Sequence, residues 1–187
     1  MEKNLSRLPL PLAWFHRLDI IIFFWTMRRR HLRVMARCSR GLSRTADGFA
    51  YPVVALGLMA VDSDVGTPFA MAMALAFALE RPLYWILKNG LKRNRPAAAI
   101  PGFNSFIIPS DKFSFPSGHT SGAFLVATLL SLNFPALTAV VFGWALLVGA
   151  SRVTLGVHFP TDTVAGALMG AGLAWCSHGW LSGQLPL

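Results

Sequence analysis

Three short stretches of this chain carry side chains whose types and spacing suit chemistry: Lys88–Pro96 (KNGLKRNRP), Pro116–His119 (PSGH) and Ser151–Asp162 (SRVTLGVHFPTD). Each sets cationic or imidazole groups at the edge of an apolar run. Together they supply the cations Lys88, Arg95 and Arg152, the imidazoles His119 and His158, the carboxylate Asp162 and a turn made of Ser117 and Gly118. That set can hold a tetrahedral phosphate and pass it through a histidine. Arginine offers a planar fork of donors matched to phosphate oxygens, and lysine a compact charge. Seven residues separate Lys88 from Arg95, about two turns, so a continuing helix would present them, with Lys92, on one face.

Ser117 suits an N-cap, and Gly118 lets an anion come close to the backbone. The free N–H groups of a helix start favour phosphate oxygens, and His119 falls in that first turn. Pro160 fits the first turn of a further helix, which places Asp162 beside His158. A carboxylate on one imidazole nitrogen fixes the tautomer and strengthens the other nitrogen as a nucleophile. Taken singly, each stretch also has an ordinary reading: an interfacial anchor of lysines and arginines, a capped helix, and an acidic first-turn residue facing the helix dipole.

The elements that must position these groups follow from composition. The chain is 54% hydrophobic and only 13% charged, yet its net charge is +9. Soluble domains carry about 25% charged residues, so the deficit predicts a membrane protein. Nucleic acid would account for basic charge but not for this much apolar surface. Anionic headgroups and positive-inside topology account for both. The two cysteines, Cys38 and Cys176, read as free thiols. The N-terminal MEKNLSRLPLPLAW lacks the apolar core and cleavage site of a signal peptide.

Residues 13–34 hold an apolar core, Ile20–Met27, too short for a span of about 20 residues. His16, Arg17 and Asp19 interrupt one end. The expectation is a helix lying in the interface, with Trp14, Phe15, Phe23, Phe24 and Trp25 at the lipid boundary; a short tilted span is the rival. A belt of arginines follows from Arg28 to Arg44. Spans are predicted over 48–62, 68–91, 118–134, 135–153 and 160–180, with the DSDVGT stretch and Asn133-Phe134-Pro135 as turns. Glu80 and Arg81 fall inside the second span and should face protein or water. Gly166, Gly170 and Gly172 should permit close helix contacts in the last. The predicted architecture is therefore all-α: five spans plus an interfacial helix, or six spans. It divides into a basic segment, 1–46, and a transmembrane domain, 47–187. Spans two and three flank the loop 94–115, and the short Asn133 turn returns the chain, so all three stretches meet at one membrane face.

The order Lys-x6-Arg-Pro, Pro-Ser-Gly-His, Ser-Arg-x5-His-x3-Asp resembles the type 2 phosphatidic acid phosphatase (PAP2) superfamily, with every signature position present between Lys88 and Asp162. The resemblance implies that Lys88, Arg95 and Arg152 bind the phosphoryl group, with Ser117 and the Gly118 backbone adding hydrogen bonds. It implies that His158 attacks phosphorus, supported by Asp162, and that His119 protonates the leaving oxygen. The expected function is a membrane lipid phosphatase acting on undecaprenyl diphosphate, phosphatidylglycerophosphate or phosphatidate. The alternatives are a lipid phosphotransferase and a non-catalytic lipid-binding protein. No Asp/Glu/His grouping has metal-ligand spacing, so neither metal nor cofactor is expected. The expected partners are the lipid phosphate and membrane lipids, not nucleic acid, in a bacterial inner membrane. Family enzymes often have six spans, with a clear one near the N-terminus, where this chain is short and charged. The arginine belt joins the face bearing the three stretches and so points it to the cytoplasm, whereas many bacterial relatives work on the periplasmic side.

Overall fold

The computed structural model describes residues 10–184, with side chains from Arg17 onward. The readings placed on residues 1–9, and on the side chains of Trp14, Phe15 and His16, lie outside the described residues. Among the described residues the regular structure is helical: α1 (Leu10–Met27), α2 (Leu32–Arg44), α3 (Ala50–Val61), α4 (Ser63–Leu91), α5 (Pro96–Ala99), α6 (Gly118–Asn133), α7 (Thr138–Thr154) and α8 (Pro160–Leu181). A short 3₁₀ turn, Pro135–Leu137, leads into α7. An isolated bridge between Asn94 and Phe113 closes the long loop.

The stretch DSDVGT, expected as a turn, is the start of α4. The Asp62 carboxylate accepts from the backbone N–H of Asp64 (3.0 Å) and Val65 (3.3 Å), satisfying two of the orphan donors of a helix start. That cap lets the helix begin five residues earlier than its apolar pattern suggests. α4 then runs through Pro68 and Pro82 to Leu91 and stops where Lys92 turns left-handed, at φ +48°. Lys88 and Arg95 therefore do not share a helix face. The helix ends between them, and Arg95 instead caps the short α5.

α6 lies at the centre of the bundle. It packs against α7 on one side and α8 on the other, with α4 behind, while α3 lies on α4 and α2 on α7. The α6–α8 crossing is close because of two glycines. A Cβ at Gly166 would stand 2.5 Å from the Ser117 carbonyl oxygen, and one at Gly170 2.0 Å from that of Ser121. Gly172, expected to serve the same purpose, faces open space. Residue periodicity explains this: 166 and 170 are one turn apart on the same stripe, and 172 is rotated off it.

Phe69, Leu125 and Leu129 are fully buried where α4 meets α6. A second cluster joins α1 to the far end of the bundle. Phe23 was expected at the lipid boundary, but it is wholly buried among Ile100, Val153 and Phe159, with its ring 5.1 Å from that of Phe103. Trp25 on the same helix is exposed. Large apolar side chains such as Leu56, Trp85, Leu146 and Trp175 are also exposed. So much uncovered apolar surface needs lipid around it. Among the described residues two stretches are long and apolar enough to cross a membrane, Ser63–Leu91 and Pro135–Thr154. Ala50–Val61 is apolar but has only 12 residues, about 18 Å of helix against a hydrocarbon core of about 30 Å.

Candidate active site

The three stretches meet at one end of the bundle around a cavity of about 850 Å³. Arg95, His119, Arg152 and His158 line it at the polar end, and Tyr51, Met73 and Phe77 line an apolar arm between α3 and α4. Arg81, predicted to avoid lipid, lines that arm, and its neighbour Glu80 is fully buried. Lys88, Ser117 and Asp162 are not on the cavity surface. They stand behind it, bonded to Asp111, Thr120 and Arg93 respectively.

His158 sits between α7 and α8, almost wholly buried. Its Nε2 lies 3.4 Å from Arg95 Nη1, which also donates to the Val157 carbonyl at 2.7 Å. Its Nδ1 faces Asp162 Oδ2 at 3.7 Å. That is beyond hydrogen-bond reach, and Nδ1 has no hydrogen-bond partner. Burial pushes the imidazole down to about 4, opposed by the Asp162 charge and assisted by Arg95 and Arg152. His158 is thus neutral at pH 7, with a lone pair available.

Asp162 is held from two other directions. The Phe159 backbone N–H donates to Oδ2 at 2.7 Å, and Arg93 Nη1 donates to Oδ1 at 2.7 Å. Arg93 is a residue that sequence reasoning passed over as an anchor. Its Nη1 also donates to Thr161 Oγ1 (2.7 Å) and its Nη2 to Asp19 Oδ2 (2.5 Å). Asp19 in turn accepts from the Thr161 backbone N–H at 2.8 Å. The charge that seemed only to interrupt α1 is buried and joined to the start of α8. The sequence signal was the presence of a carboxylate inside an apolar helix, which demands a partner.

The PSGH turn is tied to the third stretch by a bond from the Ser117 N–H to the Asp162 carbonyl, 3.0 Å. Ser117 takes the N-cap position, but its hydroxyl pairs with Thr120 Oγ1 at 2.9 Å. Gly118 lies against Tyr84, where a Cβ would meet the ring at 3.0 Å. His119 Nε2 is 2.9 Å from Asp47 Oδ1, a carboxylate from the junction of α2 and α3. Arg152 Nη1 donates to Ser43 Oγ at 2.6 Å, and its buried Nε is unpaired.

Asp111, from the long loop, occupies the cationic corner. Lys88 Nζ (2.7 Å) and Tyr84 Oη (2.6 Å) donate to its Oδ2, and Arg95 bonds both its Oδ1 and its backbone carbonyl. Partial burial disfavours its charge, but the bonds from Lys88 and Tyr84 and the nearby positive charges hold the carboxyl well below its usual range. A carboxylate clasped by lysine, arginine and tyrosine marks this corner as an anion seat. Among the described residues no group of three or more His, Cys, Asp or Glu stands together as a metal site.

The described residues thus form a helical bundle with a cationic, two-histidine cavity at one end. The PAP2 superfamily model matches residues 66–185, and the chain belongs to that superfamily. It is 36% identical over 111 residues to phosphatidylglycerophosphatase B of Bacillus subtilis, covering 54% of this chain and 52% of that protein. The chain thus spans about half the length of this curated relative. Its fold is similar to that of LpxE from Aquifex aeolicus, with a TM-score of 0.73 and 28% identity, covering 86% of this chain and 94% of that one. It is also similar to a transmembrane PAP2-type phosphatidylglycerolphosphate phosphatase from Bacillus subtilis, with a TM-score of 0.71, 25% identity, and 92% and 88% coverage.

Proposed function

We propose that this chain is a membrane lipid phosphatase that works through a phosphohistidine on His158. The observation that carries the reading is the position of His158: neutral, buried, with Nε2 beside Arg95 at the wall of a cavity that Arg152 and His119 also line. Nε2 attacks phosphorus as the bond to the lipid oxygen breaks, and His119 protonates that oxygen. Arg95 and Arg152 take up charge on the equatorial oxygens, with Lys88 joining them where substrate displaces Asp111. Ser117 and the Gly118 backbone complete the seat, and Asp162 steadies the imidazolium. Water then cleaves the P–N bond. No step calls on a metal ion.

The apolar arm between α3 and α4 suits a lipid tail, with the headgroup entering sideways. Phosphatidylglycerophosphate is the leading substrate because relatives of that name share both sequence and fold; undecaprenyl diphosphate and phosphatidate are the others to test. The bundle is proposed to sit in a bacterial inner membrane with five spans and α1 docked at the interface, and to divide at 46/47. Arg40 donates to the Phe106 carbonyl at the cavity end, so the arginine belt and the site share a face. Positive-inside topology then puts both in the cytoplasm. The exposed Cys38 on α2 reports this directly: a membrane-impermeant thiol reagent should fail to label it in intact cells.

The central test is phosphate release from a panel of lipid monophosphates and diphosphates by detergent-purified protein, with EDTA present. His158→Ala should abolish release and the acid-labile phosphoenzyme. Normal turnover by that variant would sink the mechanism, and loss of the wild-type activity in EDTA would sink its metal independence.

A further inference from the structure

The cavity holds one carboxylate that the phosphatase reading leaves without work. Asp47 lines it and places Oδ1 2.9 Å from His119 Nε2. It lies outside the stretch that the family model matches, residues 66–185. Its position is nonetheless fixed on both sides. Ala46 is buried against Ala123, Ala127, Ala145 and Val148, and Trp144 Nε1 donates to Thr45 Oγ1 at 2.8 Å. Gly48 follows at φ +95°, a backbone conformation that a side chain resists, and turns the chain into α3. The Asp47 side chain is 45% exposed, but its backbone is set between a buried alanine and a glycine turn, which aims it at His119.

We propose that Asp47 is the positioning residue of the general acid: it holds His119 by Nε2, leaves Nδ1 to face the leaving oxygen, and stabilises the imidazolium that must form before each turnover. The inference rests on the phosphatase reading and deepens it. Other charges face His119, namely Arg152 from α7 and Asp111 from the loop. Burial of the ring and, after it, Arg152 oppose the cationic form, and Asp47 works against both. Asp111 is committed to Lys88, Arg95 and Tyr84, so Asp47 is the carboxylate in direct contact.

His158 Nε2 forms the P–N bond, the electron pair of the breaking P–O bond goes to the lipid oxygen, and that oxygen takes the Nδ1 proton. His119 becomes neutral while Nε2–H stays on Asp47. In the second half, neutral Nδ1 takes a proton from the attacking water as the new P–O bond forms and the P–N pair returns to His158. The cycle restores the imidazolium.

The experiment compares two leaving groups. Phosphatidylglycerophosphate releases an alkoxide, which needs a proton. p-Nitrophenyl phosphate releases a phenolate, which hardly does. Asp47→Asn should lower kcat on the lipid about 10- to 100-fold with KM little changed, part of the roughly 10²–10⁴ that a general acid supplies. On the aryl ester the rate of phosphoenzyme formation, read as the p-nitrophenolate burst, should fall by no more than about twofold. Asp47→Glu should recover most of the lipid activity, and Asp47→Asn should add nothing in a His119→Asn background. Equal losses on both substrates, an undiminished lipid rate, or additive losses in the double variant each overturn the proposal and leave the phosphatase reading standing. Absence of turnover by the unmodified protein on both substrates overturns the phosphatase reading, and this one with it.

Discussion

Replacing Gly170 by alanine tests whether the α6–α8 crossing sets the site. The added Cβ would lie 2.0 Å from the Ser121 carbonyl oxygen, 2.8 Å from its carbon and 3.1 Å from the Leu125 nitrogen. All three are backbone atoms, so no side chain can move aside. Restoring an ordinary C···O separation of about 3.3 Å requires the helices to part by about 1.3 Å. Overpacking of this kind costs roughly 1–3 kcal/mol, and rigid neighbours favour the upper end. For a chain of this size that lowers the unfolding midpoint by about 5–10 °C. α6 carries His119 in its first turn and α8 carries Asp162 in its own, so the same wedge moves His119 away from Asp162. A misplacement of about 1 Å can cost on the order of 100-fold in rate. Gly172→Ala is the internal control: it meets nothing within 4 Å and gains up to about 1 kcal/mol of helix propensity. Thermal unfolding and phosphate release, both in detergent, read the two variants. If Gly170→Ala matches Gly172→Ala in midpoint and rate, the close crossing does not position the site.

Arg93→Ala should destabilise the fold by about 3–5 kcal/mol, because it strands the buried carboxylates Asp19 and Asp162. Arg93→Lys should recover little of this, since one ammonium cannot reproduce the fork; an unfolding midpoint near wild type in either variant refutes the linkage. His158 should stay neutral well below pH 6. Its value is depressed from 6.5 to about 4, so the folded state charges it less readily than the unfolded chain. Stability from this group is full above pH 6.5 and is lost as pH falls toward 4. Histidine-labelled NMR spectra showing a His158 midpoint near 6.5 would contradict the burial argument. Asp111→Ala should tighten inhibition by inorganic phosphate and vanadate by emptying the seat made by Lys88, Arg95 and Tyr84; weaker inhibition would mean that the carboxylate organises the seat instead.

How much was legible in the chain depended on the range of the forces involved. The helical class and the meeting of the three stretches at one end followed from apolar runs and the turns between them, which are local properties. The course of α4 did not, because a capping carboxylate at Asp62 and a left-handed Lys92 override the apolar pattern at its two ends. The eight candidate residues come together, but the partners that hold them are distant in sequence: Asp19 for Arg93, Ser43 for Arg152, Asp47 for His119 and Asp111 for Lys88. Nothing in local spacing relates such pairs. The usable clue was electrostatic, since each is an ionisable or polar group in a chain that has few of them.

Asp19, Ser43 and Asp47 all precede residue 66, where the match to the family model begins. A chain trimmed to the boundaries drawn by similarity would keep every motif residue. It would also leave the Arg152 guanidinium, the His119 imidazole and one arm of Arg93 without their partners. The unit that the family model delimits is therefore smaller than the unit that closes electrostatically. Chimaeras that exchange the segment before residue 66 with a relative's would show whether these partners tune the site without any motif being touched.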